Sequence, residues 1–301
     1  MLALGLTIAR PSEISGGAKT AAKPGSVTPP VPSTSTNAQQ PVTVKSGQTA
    51  AKVTVAGPGA SVDHSVQRPA TQRTQSVSLA FDWVTIPAGE FLMGSDKSKD
   101  ADARDDESPQ HTVNLPAFRI ARVPVTNAQY KKFVDATGHQ APKHWKNGQI
   151  PDKKEDHPVV YVSWHDALAF CTWAQVRLPT EADWEKAARG ADGRIFPWGN
   201  AEPDDKRCNF NKHVGDTTPV GRYPTSASPY GCLDMAGNVW EWTGSLYKSY
   251  PYDAGDAREL RVMRGGTFFN RRDVVRCAFR SFIRPDYGLD YIGFRVVSPG
   301  L

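Results

Sequence analysis

No aromatic residue precedes Phe81 in this chain of 301 residues, and all eight Trp and all four Cys follow it. A stretch built from Pro, Ser, Thr, Ala, Gly, Gln and Val, with no large ring, cannot bury enough apolar surface to offset the entropy of ordering its backbone. Pro24 to Pro32 and Ala56 to Ala60 carry the punctuation of a linker, and no helical or strand period persists around them. Residues 1–80 are therefore expected to be a disordered tail or linker. Residues 81–301 are expected to be one domain, long enough for a single hydrophobic core.

Charge divides at the same place. The tail has seven Lys and Arg against two Asp and Glu, so the remainder balances at 29 against 29 and the whole net charge of +5 sits in the tail. A neutral domain is a poor nucleic-acid binder, and the tail's cations are dispersed among Ser, Thr and Pro as in a solvated linker. Leu2 to Ile8 is apolar but has no Lys or Arg before it and no small-residue cleavage site, so it is not read as a signal peptide. No apolar run is long enough for a spanning helix.

Three segments open with Ser or Thr followed three residues later by an acid or amide: Thr126/Gln129, Ser163/Asp166 and Thr180/Asp183. That spacing lets both side chains satisfy free N–H groups at a helix start. It predicts helices running to about Ala136, Gln175 and Arg189, the first and third ending at Gly138 and Gly190. Trp83 to Ile86, Phe91 to Met93, His111 to Leu115, Phe118 to Arg122 and Gly293 to Val297 read as strands. Beyond Arg189 helical periodicity is lost and Gly, Pro, Asn and Asp are frequent, so the second half is expected to be loop-rich with few strands. Its backbone groups must still find partners, and buried Trp, Arg and bound ions are the candidates.

Eight strings then appear in order: Ile86-Pro-Ala-Gly-Glu-Phe-Leu-Met-Gly94, Pro124-Val-Thr-Asn-Ala-Gln-Tyr130, Pro158-Val-Val-Tyr-Val-Ser-Trp164, Arg177-Leu-Pro-Thr-Glu-Ala-Asp-Trp-Glu185, Phe196-Pro-Trp-Gly-Asn200, Asp234-Met-Ala-Gly-Asn-Val-Trp-Glu-Trp242, Arg264-Gly-Gly266 and Gly293-Phe-Arg295. Together they resemble the formylglycine-generating-enzyme (sulfatase-modifying factor) family across residues 81–301. The resemblance implies an α+β, loop-rich, C-type-lectin-like fold. Trp164, Trp184, Trp198, Trp240 and Trp242 are expected as core anchors, and Arg264, Arg276, Arg280 and Arg295 as braces for loop carbonyls and carboxylates.

Enzymatic members of that family oxidise a peptidyl cysteine with two cysteines that hold copper, both shortly after Arg-Gly-Gly. Here the stretch reads Thr267-Phe-Phe-Asn-Arg-Arg-Asp-Val-Val-Arg276. The first copper-site cysteine falls on Asn270 and the second within Asp273 to Val275, where Asn and Val cannot supply the thiolates that Cu(I) prefers. No copper is expected, and no residue is assigned a catalytic role. The family partner of Cys277 falls at Ala188 and that of Cys171 near Val296, so neither family disulfide can form. Cys208 and Cys232 remain a possible pair. Cysteines without partners favour a reducing, cytoplasmic location, with export or the cell surface as the alternative. The seven His show no metal-ligand spacing, and Gly-x-Ser-x-Gly and P-loop strings are absent.

The resemblance implies a structural Ca²⁺ held by the Asp234 and Glu241 carboxylates and the Gly237 and Val239 carbonyls, an all-oxygen set. It implies a second site at Asn209, the Phe210 carbonyl and Asp216.

The segment 264–297 also resembles the variable region of proteins diversified by bacterial retroelements. The positions matching variable ones are Phe269, Asn270, Arg271, Asp273, Val274, Phe279, Ser281, Ile283, Arg284, Tyr287, Leu289, Asp290 and Tyr291. Each is a residue that randomising the first two bases of an Asn codon can produce. Tyr, Phe, Arg, Asp, Ser and Asn mix here as in a paratope, where rings supply area and short polar groups adaptable hydrogen bonds. The expectation is a non-catalytic binding protein that displays these residues to another macromolecule, most simply a protein. The alternative is an oxidoreductase of the family with an atypical active site.

Overall fold

The computed structural model describes residues 79–250 and 259–300. The expected disordered tail lies outside the described residues except at Leu79 and Ala80. Leu79 packs against the main core, and the Ala80 carbonyl accepts a hydrogen bond from Gln129 Nε2 at 3.1 Å, so ordered structure begins at least two residues before Phe81.

Each of the three helices starts where its capping residues place it. They are α1 (Asn127–Thr137), α2 (Trp164–Ala174) and α3 (Glu181–Arg189), and all three have a complete capping box. At α3 the Thr180 hydroxyl accepts from the Asp183 N–H at 3.1 Å, and Asp183 Oδ2 accepts from the Thr180 N–H at 2.9 Å. The α1 helix ends on Gly138 in the left-handed region, whereas α2 ends on Gln175 in that same conformation.

Four strands of the first half form two antiparallel pairs, β1 (Trp83–Ile86) with β4 (Phe118–Ala121) and β2 (Gly89–Met93) with β3 (His111–Leu115). The second half contains a four-stranded sheet of order β7-β6-β5-β8, from β5 (Trp240–Leu246), β6 (Arg261–Arg264), β7 (Ser281–Ile283) and β8 (Ile292–Phe294). Periodicity does not reveal β5, because Trp240 to Thr243 are buried on both faces and so do not alternate. The expected strand Gly293 to Val297 is shorter and earlier. Past Phe294 the chain leaves the sheet, and Val297 exchanges backbone hydrogen bonds with Arg177 at 2.8 and 3.0 Å.

The main core gathers Tyr130, Phe133, Phe170, Trp242, Ile292 and Phe294 between α1, α2 and the sheet. Trp184, Trp240 and Trp242 are buried as expected, whereas Trp164 and Trp198 are only half-buried.

Arg264, Arg276, Arg280 and Arg295 are each no more than 2 % exposed and join elements that no sheet connects. Arg264 pairs with Glu185 and donates to the Cys277 and Ala278 carbonyls at 2.8 and 3.0 Å. Arg280 grips both oxygens of Glu181 at 2.6 and 2.9 Å, and Arg276 both oxygens of Glu107 at 2.6 and 2.7 Å. A fork facing a carboxylate satisfies two donors and two acceptors at once, as burial of either charge demands.

Burial alone would raise the Glu185 carboxyl pKa, but Arg264, Arg189 and the Gly94 N–H outweigh it and hold it below the ordinary glutamate range. A depressed native pKa contributes stability that is present above the unfolded-state value and lost as pH falls through the native one. Chemical denaturation across an acid series is therefore expected to show falling stability below the ordinary glutamate range. Glu185→Gln should flatten that slope while costing about 3–5 kcal/mol near neutrality, because Arg189 loses its counter-charge and Arg264 keeps only Glu181, at 3.4 Å.

Candidate functional site

The segment after Arg264 runs across the surface between buried anchors. Gly266 starts it at φ +75°, where a Cβ would lie 2.8 Å from the Val275 side chain. The Asn270 side chain accepts the Thr267 N–H at 2.9 Å, closing a tight turn. A second loop locks onto that turn: the Asn211 N–H donates to the Asn270 carbonyl at 2.7 Å, and the Lys212 N–H to the Phe268 carbonyl at 2.8 Å. Asn211 and Lys212 both have positive φ, +50° and +59°, a conformation non-glycine residues adopt at a cost.

Beside this turn lies an open cleft of ≈ 500 Å³, lined by Asp102, Glu202, Pro203, Phe210, Asn211 and Arg271 to Asp273. Arg272 bridges one wall to the other by pairing with Asp102 and with Glu202. The Arg271 side chain is 80 % exposed and lies 3.6 Å from Asp273. Further along, Phe269 packs edge-on against Tyr291 at 5.0 Å.

Ten of the thirteen positions singled out in the sequence are exposed or half-exposed, with Arg271, Arg284 and Tyr287 the most open. Phe279, Ser281 and Tyr291 are not: they are 6, 8 and 9 % exposed. Phe279 lies 6.0 Å from the Trp240 ring with Arg104 stacked over it at 5.2 Å, so it belongs to the frame. Sequence reasoning missed Asp102, Glu202 and Arg272, since 170 residues separate Arg272 from Asp102 and nothing local marks them as partners.

The first expected Ca²⁺ set does not fit an ion as the structure arranges it. Both Glu241 oxygens accept from Arg295, at 2.6 and 2.7 Å, and one also accepts the Trp184 indole N–H at 2.8 Å. A guanidinium already supplies the positive charge, so Glu241 braces Arg295 instead of facing a metal. The Asp234 carboxyl accepts the Gly221 N–H at 2.6 Å and is pushed up to about 6 by burial. Gly237 and Val239 lie in the connection before β5. Gly237 is pressed so close to the Asn209 carbonyl that a Cβ would sit 2.2 Å from it.

The second set fits better. Asn209 is 1 % exposed, and its side-chain oxygen is buried without a hydrogen-bond partner, which is the kind of atom a cation satisfies. Its amide nitrogen donates to the Asp216 carbonyl at 2.8 Å. The Phe210 carbonyl accepts from His213, and the Asp216 carboxylate is shared between Lys154 at 2.9 Å and the Thr217 N–H at 2.6 Å.

A copper–thiolate centre does not fit the residues present. Cys171, Cys208, Cys232 and Cys277 are free and buried, so Cys208 and Cys232 are not bonded to each other. Burial pushes the thiols of Cys171, Cys208 and Cys277 up to about 12 and raises that of Cys232. Among the described residues no group of three or more His, Cys, Asp or Glu is placed to hold a metal, and no helix is long and apolar enough to cross a membrane.

Three capped helices, short strand pairs and a loop-rich half pinned by arginines define a C-type-lectin-like domain of the formylglycine-generating type. The chain belongs to the family of sulfatase-modifying factor enzyme 1-like domains, whose model matches residues 67–299. It is 34 % identical to the hercynine oxygenase of Mycolicibacterium smegmatis, over 67 % of this chain and 58 % of that protein. It therefore spans little more than half the length of that relative. It is also 34 % identical to the formylglycine-generating enzyme of Thermomonospora curvata, over 76 % of this chain and 97 % of that one. Among solved structures, Treponema denticola variable protein 1 superposes with a TM-score of 0.60 at 23 % identity, covering 74 % of this chain and 97 % of its own, and shows the shared fold. These names correct one expectation: relatives over most of the domain are enzymes, so loss of the copper cysteines does not place the chain outside an enzyme family.

Because the Glu241 carboxylate is held by a guanidinium, Glu241→Gln is expected to cost about 3–5 kcal/mol by leaving Arg295 buried without its counter-charge. The loss should be the same in Ca²⁺ and in chelator. A loss seen only with Ca²⁺ present would return Glu241 to the metal.

Proposed function

We propose that residues 268–291 form a recognition surface by which this member of an enzyme family holds another macromolecule, a protein segment. The observation that carries the reading is the alternation along one stretch of chain. Arg276, Cys277 and Arg280 are buried and anchored, whereas Arg271, Arg284 and Tyr287 stand open and Phe269, Asn270, Asp273, Val274, Ile283, Leu289 and Asp290 are half-exposed. The open side chains on such a stretch can change without loosening the frame, as retroelement diversification requires, whereas Phe269, Val274, Ile283 and Leu289 also pack against the main core. A near-copy of codons 265–296 beside a reverse-transcriptase gene is the genomic signature to seek.

The surface is separable from the fold. Arg271→Ser, Arg284→Ser and Tyr287→Ser together are expected to cost less than about 1.5 kcal/mol, since exposed substitutions cost under about 0.5 each. Phe279→Ala alone should cost about 3–5 kcal/mol through lost packing. Thermal melting of the triple variant beside Phe279→Ala is the measurement. A triple variant that melts as early as Phe279→Ala removes the basis of the reading.

The names of the relatives favour a second reading, an oxidoreductase whose oxidative site differs from the copper–thiolate one and whose substrate lies in the cleft at Arg271 to Asp273. Dioxygen uptake by the purified chain that depends on an added cysteine-containing peptide would support it.

A structural Ca²⁺ at the 209–216 loop accompanies either reading, with the unpartnered Asn209 oxygen as its anchor. An ion bound only to the native state raises the melting temperature by mass action. Chelator should lower that temperature, and Asn209→Ala should abolish the difference. Identical wild-type curves with and without Ca²⁺ would show that the loop is closed by hydrogen bonds alone.

A further inference from the structure

Leu246 in β5, Arg261 in β6 and Ile283 in β7 lie opposite one another across three neighbouring strands. Opposed residues project from the same face of a sheet. The Trp164 ring covers Arg261, with the guanidinium carbon 3.8 Å from the ring centroid, and the Trp164 indole N–H is held by the Thr243 carbonyl at 2.9 Å. Leu168 follows Trp164 by one turn of α2 and shares its side of the helix; Leu168 and Leu246 are 41 and 38 % exposed. The start of α2 is tied to the loop after β7 by the Trp164 N–H on the Pro285 carbonyl at 3.0 Å and by His165 against Asp286 at 3.5 Å. The next residue, Tyr287, is 48 % exposed.

Among the described residues Arg261 is the charge in this strip without an ion pair, and Glu259 acts on it only from beyond ion-pair distance. Its Nη1 donates to the Gly244 carbonyl at 3.2 Å, its Nε has no acceptor, and no carboxylate among the described residues lies within ion-pair distance of it. Arg284 and Asp286, by contrast, neutralise each other at 3.4 Å. The Arg261 Nε is buried, whereas its Nη1 contact lies at the surface, so the terminal nitrogens of a guanidinium flattened on an indole are the part that can meet a planar acceptor.

We propose that this strip is a docking face for an acidic, apolar segment of a partner protein, in which one Asp or Glu pairs with the terminal nitrogens of Arg261 and flanking apolar side chains cover Trp164, Leu168 and Leu246. Trp, Tyr and Arg set among aliphatic residues are the groups that concentrate binding energy at interfaces. A basic or uncharged segment would bury the guanidinium without a counter-charge, at a cost the acidic one avoids. The proposal rests on the reading of residues 268–291 as a recognition surface, which it extends through Ile283 and Tyr287 onto α2.

The test pans the full chain against a phage-displayed library of random linear peptides and measures the affinity of selected synthetic peptides for the wild type and three variants. The expected consensus is an Asp or Glu flanked by aliphatic or aromatic residues, bound more weakly by about tenfold or more on Arg261→Gln and on Leu168→Glu, and weakened by less than that on Arg271→Ser. Replacing the peptide's acid by its amide should weaken binding to the wild type and have no further effect on Arg261→Gln. Melting curves establish that each variant is folded. Selected peptides that lack an acid, or that bind Arg261→Gln as well as the wild type, overturn the docking face. If those peptides lose affinity on Arg271→Ser, the surface at 268–291 still stands; if they are indifferent to all three variants, both fall.

Discussion

The buried pairing of arginines with glutamates is the interaction on which the rest of this domain depends. Glu181 and Glu185 lie on α3, Glu107 in a turn before β3 and Glu241 in β5, and each is met by an arginine from the last third of the chain. With only short strand pairs in the first half and one small sheet in the second, hydrogen-bonded ladders cannot hold these parts together. A guanidinium can, because its five donors reach a carboxylate and several loop carbonyls at once. Arg295 does this with Glu241 and the carbonyls of Ala121, Arg122 and Leu233. Such pairs stabilise little relative to apolar packing, yet they are costly to break singly, so they hold loops in one geometry.

That frame decides what the surface can do. Arg276 and Arg280 fix the path of the C-terminal segment at two points, and open positions outside that span, such as Arg271, Arg284 and Tyr287, need satisfy no core. The cleft beside Arg271 to Asp273 arises because the loop carrying Asn211 and Lys212 is hydrogen-bonded to the Phe268 and Asn270 carbonyls, leaving side chains of both loops facing one another. The same frame removes Glu241 from metal chemistry. Its two oxygens have the right type and spacing for Ca²⁺, but Arg295 is already there, whereas Asn209 keeps a buried oxygen with nothing to accept.

Much of the first half was legible because its signals are local. Thr126, Ser163 and Thr180 announce helix starts through residues three positions away, and the strands of β1 and β3 stand out as short β-branched and aromatic runs. Apart from β8, the four-stranded sheet was illegible for the opposite reason. In β5 both faces are covered, which erases the period of two, and its parallel partner β8 comes about fifty residues later, as Trp240 pairs with Ile292. Burial of Phe279, Ser281 and Tyr291 was hidden too, since their neighbours Arg271, Arg284 and Tyr287 are of the same residue classes and point outward. The strip of Trp164, Arg261 and Ile283 joins a helix and two strands that sequence proximity does not relate.

By itself, the sequence determined the three capped helices, the strand pairs of the first half, the family, and the absence of thiols at the positions where the family binds copper, because each is written in residue identity at short spacing. Which arginine meets which carboxylate was decided by the tertiary structure alone, as were the residues that wall the cleft, the oxygens left over for an ion and the surface arginine that has no ion pair among the described residues. Ion pairs and clefts form between residues up to 176 positions apart. Such contacts depend on how elements converge in space, which local propensity does not encode.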